Sequence, residues 1–461
     1  MEYKMQKNRD LTSGSITGGL WAFAVPLMLG NVLQQFYNLA DTWVVGKYIG
    51  DNALAAVGSS YTLMTFLTSV IIGLSLGTGS FISMAFGRKE QDSIRNGIFM
   101  SAGIIGILTL LITAAFYMLT DPIISLLNVP EELTGDMHTY LVYVFTGFFA
   151  VFLYNYISNI LRGMGNSTMP LIFLGVSVAL NVGLDLLFVI PSGMGIMGAA
   201  LATAIAQYVS GVGVLVYFIA AYPEFRLTRR DMRWDSRNFR SILSLSGFTC
   251  LQQSVMNLGI LMVQTVVNSF GSVVMAGFSV AVKIDTIAYI PVQDFGNAFS
   301  VFTAQNYGAG KRKRIIHSYF ISMVFSFGIA LVMSALLVIF GRQFLGIFTN
   351  VEEVAQAGMI RLRIMGCSYA FSAFMDCTIA ANRGLGKSFV PTVIVIMGSC
   401  VFRIIWVYTV FAYFHTIESL YLLYIVSWAI TAAAEMICLR RVYREQMQKL
   451  PPDIDGVKAT A

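Results

Sequence analysis

Four polar side chains lie within apolar stretches of the chain and carry the oxygen atoms that a small cation needs. Asp41 lies in the first stretch. Asn181 and Asp185 stand one helical turn apart in a later stretch, and Thr203 lies in the next one. Such oxygens suit Na⁺, and two neighbouring carboxylates can also share a proton. Because ionisable groups in lipid are costly, the pattern predicts a cation site, with polar contacts between helices as the alternative interpretation.

A second candidate for chemistry is a stretch that looks like part of a nucleotide-binding loop. The segment NRGLGKSFVP at Asn382 contains the GKS end of that motif, but Ala381 stands where the first glycine is required. The apolar run before it is far too long for the strand that such a loop follows. The segment instead repeats LRGMGNSTMP at Leu161, 221 residues earlier. We therefore predict an internal duplication and no nucleotide binding.

The elements that must position these residues are membrane helices. Hydrophobic residues make up 56% of the chain and charged residues only 12%, about half the charged share of soluble domains. Apolar runs of roughly 20 residues, long enough to cross a bilayer as helices, recur along the chain. The predicted spans are 17–47, 52–86, 95–120, 134–161, 168–190, 196–221, 241–268, 273–306, 316–340, 355–381, 389–412 and 419–439.

The distribution of basic residues predicts the orientation of these spans. Most Lys and Arg residues fall in the two tails and in alternate loops, whereas the opposite loops are neutral or acidic. Basic loops stay in the cytoplasm, so we expect a multi-pass protein of the cell (inner or plasma) membrane with both termini cytoplasmic. The net charge of +6 follows from this bias and does not indicate nucleic-acid binding. The Arg-rich loop before the seventh span is expected to be a solvated linker.

The duplication divides the chain into two halves of six spans each. Because six is even, both halves run in the same direction, as in transporters whose halves rock against each other around a central cleft. The expected fold is an all-α integral membrane protein with twelve transmembrane helices in two pseudo-symmetric six-helix bundles. The predicted domains are an N-terminal lobe (1–222), a cytoplasmic linker (223–240), a C-terminal lobe (241–445) and a cytoplasmic tail (446–461).

The second half does not copy the candidate cation site. Asp41 aligns with Gly259, and Asp185 aligns with Trp406. Glu435 lies near the basic end of the last span and is expected to reach toward water. Other charged groups lie within the spans of the second half, and either structural ion pairing or a functional role would explain them. They are Lys283, Asp285, Asp294, Arg361, Arg363, Asp376 and Arg403.

Taken together, these motifs resemble the multidrug and toxic compound extrusion (MATE) family over residues 15–445. Within that family, the chain is most similar to the DinF-like branch. The resemblance rests on VPLMLGNVLQQFYNLADTWVVG with Pro26, on RGMGNSTMP with its later twin, and on NVGLD. It implies that the first span bends at Pro26 and that carboxylates of the N-terminal lobe couple transport to a cation. The implied cation-coupling residues are Asp41, Asn181, Asp185, Thr203 and Tyr140.

The resemblance implies secondary active efflux of amphipathic, often cationic organic compounds, in exchange for Na⁺ or H⁺. A flippase for lipid-linked precursors of the same superfamily is the nearest alternative, and a channel or receptor a more distant one. An enzyme is not expected, since no nucleophile–base or metal motif stands in a credible context. We expect a monomer in the bilayer with small-molecule substrates and no cofactor beyond the transported ion. The predicted substrate cavity contains Gln34, Tyr37, Asn155, Met256 and Asp376.

Overall fold

A computed structural model describes residues 9–126 and 131–450, and within these residues the chain is helical with no strand. The first half contains α1 Ile16–Tyr48, α2 Asp51–Gly87, α3 Gln91–Leu126, α4 Glu131–Thr146, α5 Phe148–Gly163, α6 Thr168–Val189 and α7 Gly195–Ala221. The second half contains α8 Ser236–Val267, α9 Ser272–Gly308, α10 Arg312–Gly346, α11 Glu352–Gly384, α12 Phe389–Phe414 and α13 Ile417–Lys449. Short 3₁₀ turns lie at Pro223–Phe225 and Asn268–Phe270.

Eleven of these helices are long and apolar enough to cross a membrane. Helices α4 and α5, which are separated only by Gly147 and meet at an angle of 44°, are long and apolar enough only as a pair, which brings the candidate spans to twelve when the pair is counted as one. A Cβ atom on Gly147 would lie 2.9 Å from the Cα of Ala204, so the bend brings the chain directly against α7. The prediction of an all-α membrane protein is confirmed, and the span predicted as 134–161 is this bent pair.

The chain forms two compact units. The N-terminal unit contains Val25–Cys250 and the described residues before Leu11, and the C-terminal unit contains Leu11–Ala24 and the described residues from Leu251 onward. Helices α1 and α8 therefore each contribute to both units. The domain limits expected from the sequence stay a prediction, and the first eight residues and the tail beyond Leu450 lie outside the described residues.

Glycines on α2 allow close helix packing in the N-terminal unit, as the spacing Gly73-x-x-x-Gly77 predicts. A Cβ on Gly77 would lie 2.3 Å from the Cα of Ser246 on α8, and one on Gly73 would lie 2.5 Å from the Cα of Cys250. The hydroxyls of Thr78 and Ser246 lie 3.1 Å apart at this contact. Helix α5 packs against the same helix α2 and against α7, so that α2 lies at the centre of this unit.

The C-terminal unit has a continuous apolar core formed mainly by α9, α11 and α13. Phe278, Tyr369 and Tyr421 are among its fully enclosed large side chains. Helix α12 packs beside α13 and contains two π-helical segments, Met397–Val401 and Val407–Phe411. Such turns often mark functional positions in a helix.

The duplicated RGxG segments end a helix in the same way in both units. Gly165 and Gly386 adopt φ angles of +90° and +78°, which favour glycine. The N–H of Asn166 donates to the carbonyl of Leu161 (2.9 Å), and the matching N–H of Lys387 donates to that of Asn382 (3.0 Å). This is the hydrogen-bond pattern of a helix C-cap. The segment that looks like a phosphate-binding loop therefore terminates a membrane helix.

The Arg-rich linker between α7 and α8 is attached to α3. Asp231 is 7% exposed, and its carboxylate accepts a hydrogen bond of 3.1 Å from the Arg95 side chain. The amide of Asn96 donates to the carbonyls of Asp231 and Arg233 at 3.0 and 2.9 Å. The expected solvated linker thus has a buried anchor at Asp231.

Candidate functional site

Helices α1, α4, α6 and α7 bring the predicted cation-site residues into one buried group. Asn181 and Asp185 share one face of α6 and are completely enclosed. Asp41 on α1 is 7% exposed, and Tyr140 on α4 is 8% exposed. Helical periodicity explains why Asn181 and Asp185 point the same way, while the other members arrive on different helices through tertiary packing.

Hydrogen bonds connect three of the four helices at this site. The hydroxyl of Tyr37 on α1 donates to Oγ1 of Thr203 on α7 at 3.2 Å. The oxygen and nitrogen of the Asn181 amide are assigned from their hydrogen-bond partners. The amide nitrogen donates to Oδ2 of Asp185 at 3.0 Å, and the amide oxygen accepts from the Thr203 backbone N–H at 3.3 Å. Thr203 therefore links the polar residues of α1 and α6, and Tyr140 lies within electrostatic range of Tyr37 and both carboxylates.

The two carboxylates of this group have unused acceptor capacity. Asp41 and Asp185 are close enough to interact electrostatically. Among the described residues, Oδ1 of each has no hydrogen-bond donor, although both atoms are buried. Burying such oxygens without a partner is costly. A cation or a shared proton would satisfy both, and the neighbouring amide and hydroxyl oxygens suit Na⁺. The described residues contain no cluster of three or more His, Cys, Asp or Glu side chains arranged for a metal ion.

Other residues predicted to have functional roles in the N-terminal unit lie on α1 and α5. Pro26 lies inside α1, which continues through it as one helix from Ile16 to Tyr48. Gln34 is half-buried on the same helix, two turns before Asp41. The Asn155 side chain on α5 donates a hydrogen bond of 2.9 Å to the carbonyl of Val151, one turn earlier in the same helix.

Met256 and Asp376, predicted for the substrate cavity, both line a small polar cavity of about 30 Å³ in the C-terminal unit. The other side chains of its wall are mostly amides, with one guanidinium group. The wall contains Gln252, Gln253, Gln293, Asn297 and Arg383, together with Gly296, Ile379 and Ala380.

Hydrogen bonds hold the charged groups of this cavity in place. The hydroxyl of Tyr289 donates to Asp376. Arg383 donates from Nε to Ser300 at 3.0 Å and from Nη2 to Asn297 at 2.9 Å. Tyr289, Asn297 and Arg383 were not predicted from the sequence as site residues. Only Arg383 carried a usable signal, since it belongs to the duplicated RGxG motif.

The remaining charged residues of the second half differ widely in their surroundings. Arg361 pairs with Asp285 at 3.0 Å, in agreement with structural ion pairing, whereas Lys283 and Arg363 are exposed. The expectation for Glu435 was wrong. It is fully buried and accepts a hydrogen bond of 3.0 Å from Asn382, because α11 packs along α13 and covers that face.

Comparisons with known proteins match most of the chain. The family model MatE matches residues 26–187 and 249–409. A probable multidrug resistance protein YpnP of Bacillus subtilis is 30% identical over 79% of this chain and 82% of its own length. A probable multidrug resistance protein NorM of Thermotoga maritima is 25% identical over 80% of each chain. The solved structure of a MOP superfamily transporter from Pyrococcus furiosus, 22% identical, superimposes with a TM-score of 0.89 over 95% of this chain and 98% of its own.

Proposed function

This chain belongs to the MatE family of multi-pass membrane transporters, and we propose that it exports amphipathic, often cationic organic compounds in exchange for Na⁺ or H⁺. Relatives at 30% and 25% identity carry names of multidrug resistance proteins, which supports this substrate class. We place the protein in the cell membrane with both termini in the cytoplasm, the orientation that the basic loops favour.

The observation that carries the proposal is the pair of buried carboxylates in the N-terminal unit. Asp41 and Asp185 each keep a buried oxygen without a donor among the described residues. In this proposal both bind the coupling cation. Asn181 fixes Asp185 through its hydrogen bond and Thr203 adds a hydroxyl oxygen, while Tyr140 closes the group from α4. The alignment of Asp41 with Gly259 supports coupling through this unit alone.

The cation and the exported compound compete through shared side chains in this mechanism. Tyr37, one of the residues predicted for the substrate cavity, donates to Thr203 of the cation group. Arrival of the cation would tighten these contacts and bend α1 about Pro26, where a backbone hydrogen bond is missing. Each charge that moves down 100 mV supplies about 2.3 kcal/mol, which supports a roughly fifty-fold substrate gradient at about 1.4 kcal/mol per tenfold.

Transport in reconstituted vesicles tests the proposal. Vesicles that hold a fluorescent organic cation receive an imposed Na⁺ or pH gradient, and release is compared for wild type, Asp41→Asn and Asp185→Asn. We expect gradient-driven transport to fall at least tenfold in both variants. Glu353→Gln, which removes an exposed carboxylate, is the matched control and should transport normally.

Two outcomes would count against the proposal. Full gradient-driven transport in both Asp variants would remove the coupling role of the carboxylate pair. Failure of the wild type to move any organic cation, together with translocation of a lipid-linked phosphate, would favour the flippase alternative.

A further inference from the structure

Two arginines are buried together in the C-terminal unit, far inside their helices. Arg361 on α11 and Arg403 on α12 are each 3% exposed. The guanidinium carbon of Arg361 lies 4.6 Å from the ring centre of Phe278 and 5.2 Å from that of Tyr424. The guanidinium carbon of Arg403 lies 4.5 Å from the same Tyr424 ring. Two positive charges thus stack on one aromatic side chain.

The cluster has one more positive charge than negative charge. Asp285 pairs with Arg361 at 3.0 Å and also accepts from the hydroxyl of Tyr369. Within the described part of the chain, the ionisable groups that interact with Arg403 are Tyr424, Cys400, Arg361 and Tyr289, and none of them is a carboxylate. An uncompensated charge in such an interior costs several kcal/mol, so its persistence requires a compensating group.

The cluster also has a surplus of hydrogen-bond donors. Nε and Nη1 of Arg361 and Nε of Arg403 are buried and find no acceptor among the described residues. The hydroxyl of Tyr421 is also buried without a hydrogen-bond partner there, while that of Tyr424 lies beside the Arg361 guanidinium. A guanidinium group can only donate, so an acceptor would complete this cluster where another donor would not.

The local backbone sets Arg403 apart from an ordinary packing residue. It lies on a short α-helical segment between the π-helical segments Met397–Val401 and Val407–Phe411. Each π-helical turn costs regular hydrogen bonding, and such turns are retained mostly at functional positions. The two π-helical segments are an observation independent of the charges.

We propose that the side chains of Arg361, Arg403, Tyr421 and Tyr424 form a binding site for a small monovalent anion, with chloride as the ligand that it fits best. One monovalent anion neutralises the surplus charge, whereas a dianion would reverse it. A spherical halide accepts hydrogen bonds from several directions, which suits donors on two different helices. The aromatic walls and the low exposure favour a small ion over an organic carboxylate. This proposal does not depend on the proposed transport activity.

Anion-dependent unfolding of the purified, detergent-solubilised protein tests the site. A ligand that binds only the folded state raises Tm in a saturable way. We expect chloride to raise Tm by roughly 1–2 °C over gluconate at equal ionic strength, once it exceeds its dissociation constant several-fold. Bromide should replace chloride, and its anomalous scattering in a crystal should lie between Arg361 and Arg403.

Variants distinguish this site from general salt effects. Arg403→Gln should remove the chloride-dependent rise in Tm, while Arg363→Gln, an exposed arginine on α11, should retain it. If Arg403→Gln fails to fold, Tyr424→Phe keeps the ring and should raise the half-saturating chloride concentration roughly two- to tenfold. An equal response to chloride and gluconate in the wild type would overturn the proposal. Bromide located only outside the cluster would do so as well.

Discussion

Tyr37 on α1 donates a hydrogen bond of 3.2 Å to Thr203 on α7, across 166 residues of sequence. Thr203 in turn gives its backbone N–H to the amide of Asn181, which holds Asp185. One hydroxyl therefore connects the helix that contains Pro26 with the residues that we assign to the cation.

Removal of this hydroxyl tests the connection. We expect Tyr37→Phe to raise the ion concentration needed for half-maximal transport roughly two- to tenfold, because a net hydrogen bond of about 0.5–1.5 kcal/mol is lost. The measurement is the Na⁺ and pH dependence of transport in vesicles. Tyr413→Phe, at an 81% exposed position, is the control. An unchanged ion dependence in Tyr37→Phe would separate Tyr37 from the cation site.

The contact between α2 and α8 should tolerate no added side-chain atom. A Cβ on Gly77 would lie 2.3 Å from a backbone atom of α8, whereas one on Gly103 of α3 would meet nothing within 4 Å. We expect Gly77→Ala to destabilise the protein by about 1–3 kcal/mol or more. Gly103→Ala should be neutral or slightly stabilising, since alanine favours helix. Chemical unfolding in detergent measures both, and equal stabilities would contradict the packing.

The anchor of the linker should make stability depend on pH. Burial opposes the charged form of Asp231, but hydrogen bonds from Thr228 and the Arg95 guanidinium outweigh it and hold the pKa of Asp231 below its usual range. Its ionised form therefore stabilises the fold above about pH 4, and this contribution is lost as the pH falls through the folded pKa.

We accordingly expect Asp231→Asn to lower Tm by roughly 1–3 °C at pH 7. The difference from wild type should shrink as the pH falls below about 4. Thermal unfolding across this pH range provides the measurement, with Glu131→Gln as an exposed control. A difference in Tm that stays constant with pH would assign the effect to packing and not to the charge.

Two ion pairs of the C-terminal unit should respond very differently to loss of a carboxylate. Asp285→Ala leaves the buried Arg361 without its partner and should cost about 3–5 kcal/mol. Glu352→Gln breaks the pair with Arg342. Because the side chains of Arg342 and Glu352 are 71% and 54% exposed, the loss of this pair should change stability little. Denaturant unfolding of both variants gives the comparison. Comparable losses would show that burial does not decide the strength of these pairs.

Local periodicity explains how much of the structure could be predicted from the sequence. The apolar runs identified the membrane helices, and the spacing of Asn181 and Asp185 put both on one face of α6. The bend at Gly147 was not predicted, because it depends on close packing against Ala204. The π-helical segments of α12 were missed for a similar reason, since no residue type marks them.

Contacts between distant segments explain the remaining misses. Arg361 and Asp285 were each noted as charged residues in apolar spans, but nothing in their local sequence joins positions 76 residues apart. Glu435 was expected to reach water because it lies near basic residues, and only the packing of α11 shows that it is enclosed. The polar residues that line the cavity around Asp376 could likewise not be grouped without knowledge of the tertiary contacts.

Helix α1 starts in one unit and ends in the other, so Leu11–Ala24 is a structural part of the C-terminal unit. Trp21 stacks edge-on against Phe295 and Phe325 at ring distances of 5.4 Å, and Asn306 donates to the carbonyl of Leu11. A shortened chain that begins at Val25 would therefore lack packing that the C-terminal unit uses, and fluorescence from Trp21 would report on the folding of that unit.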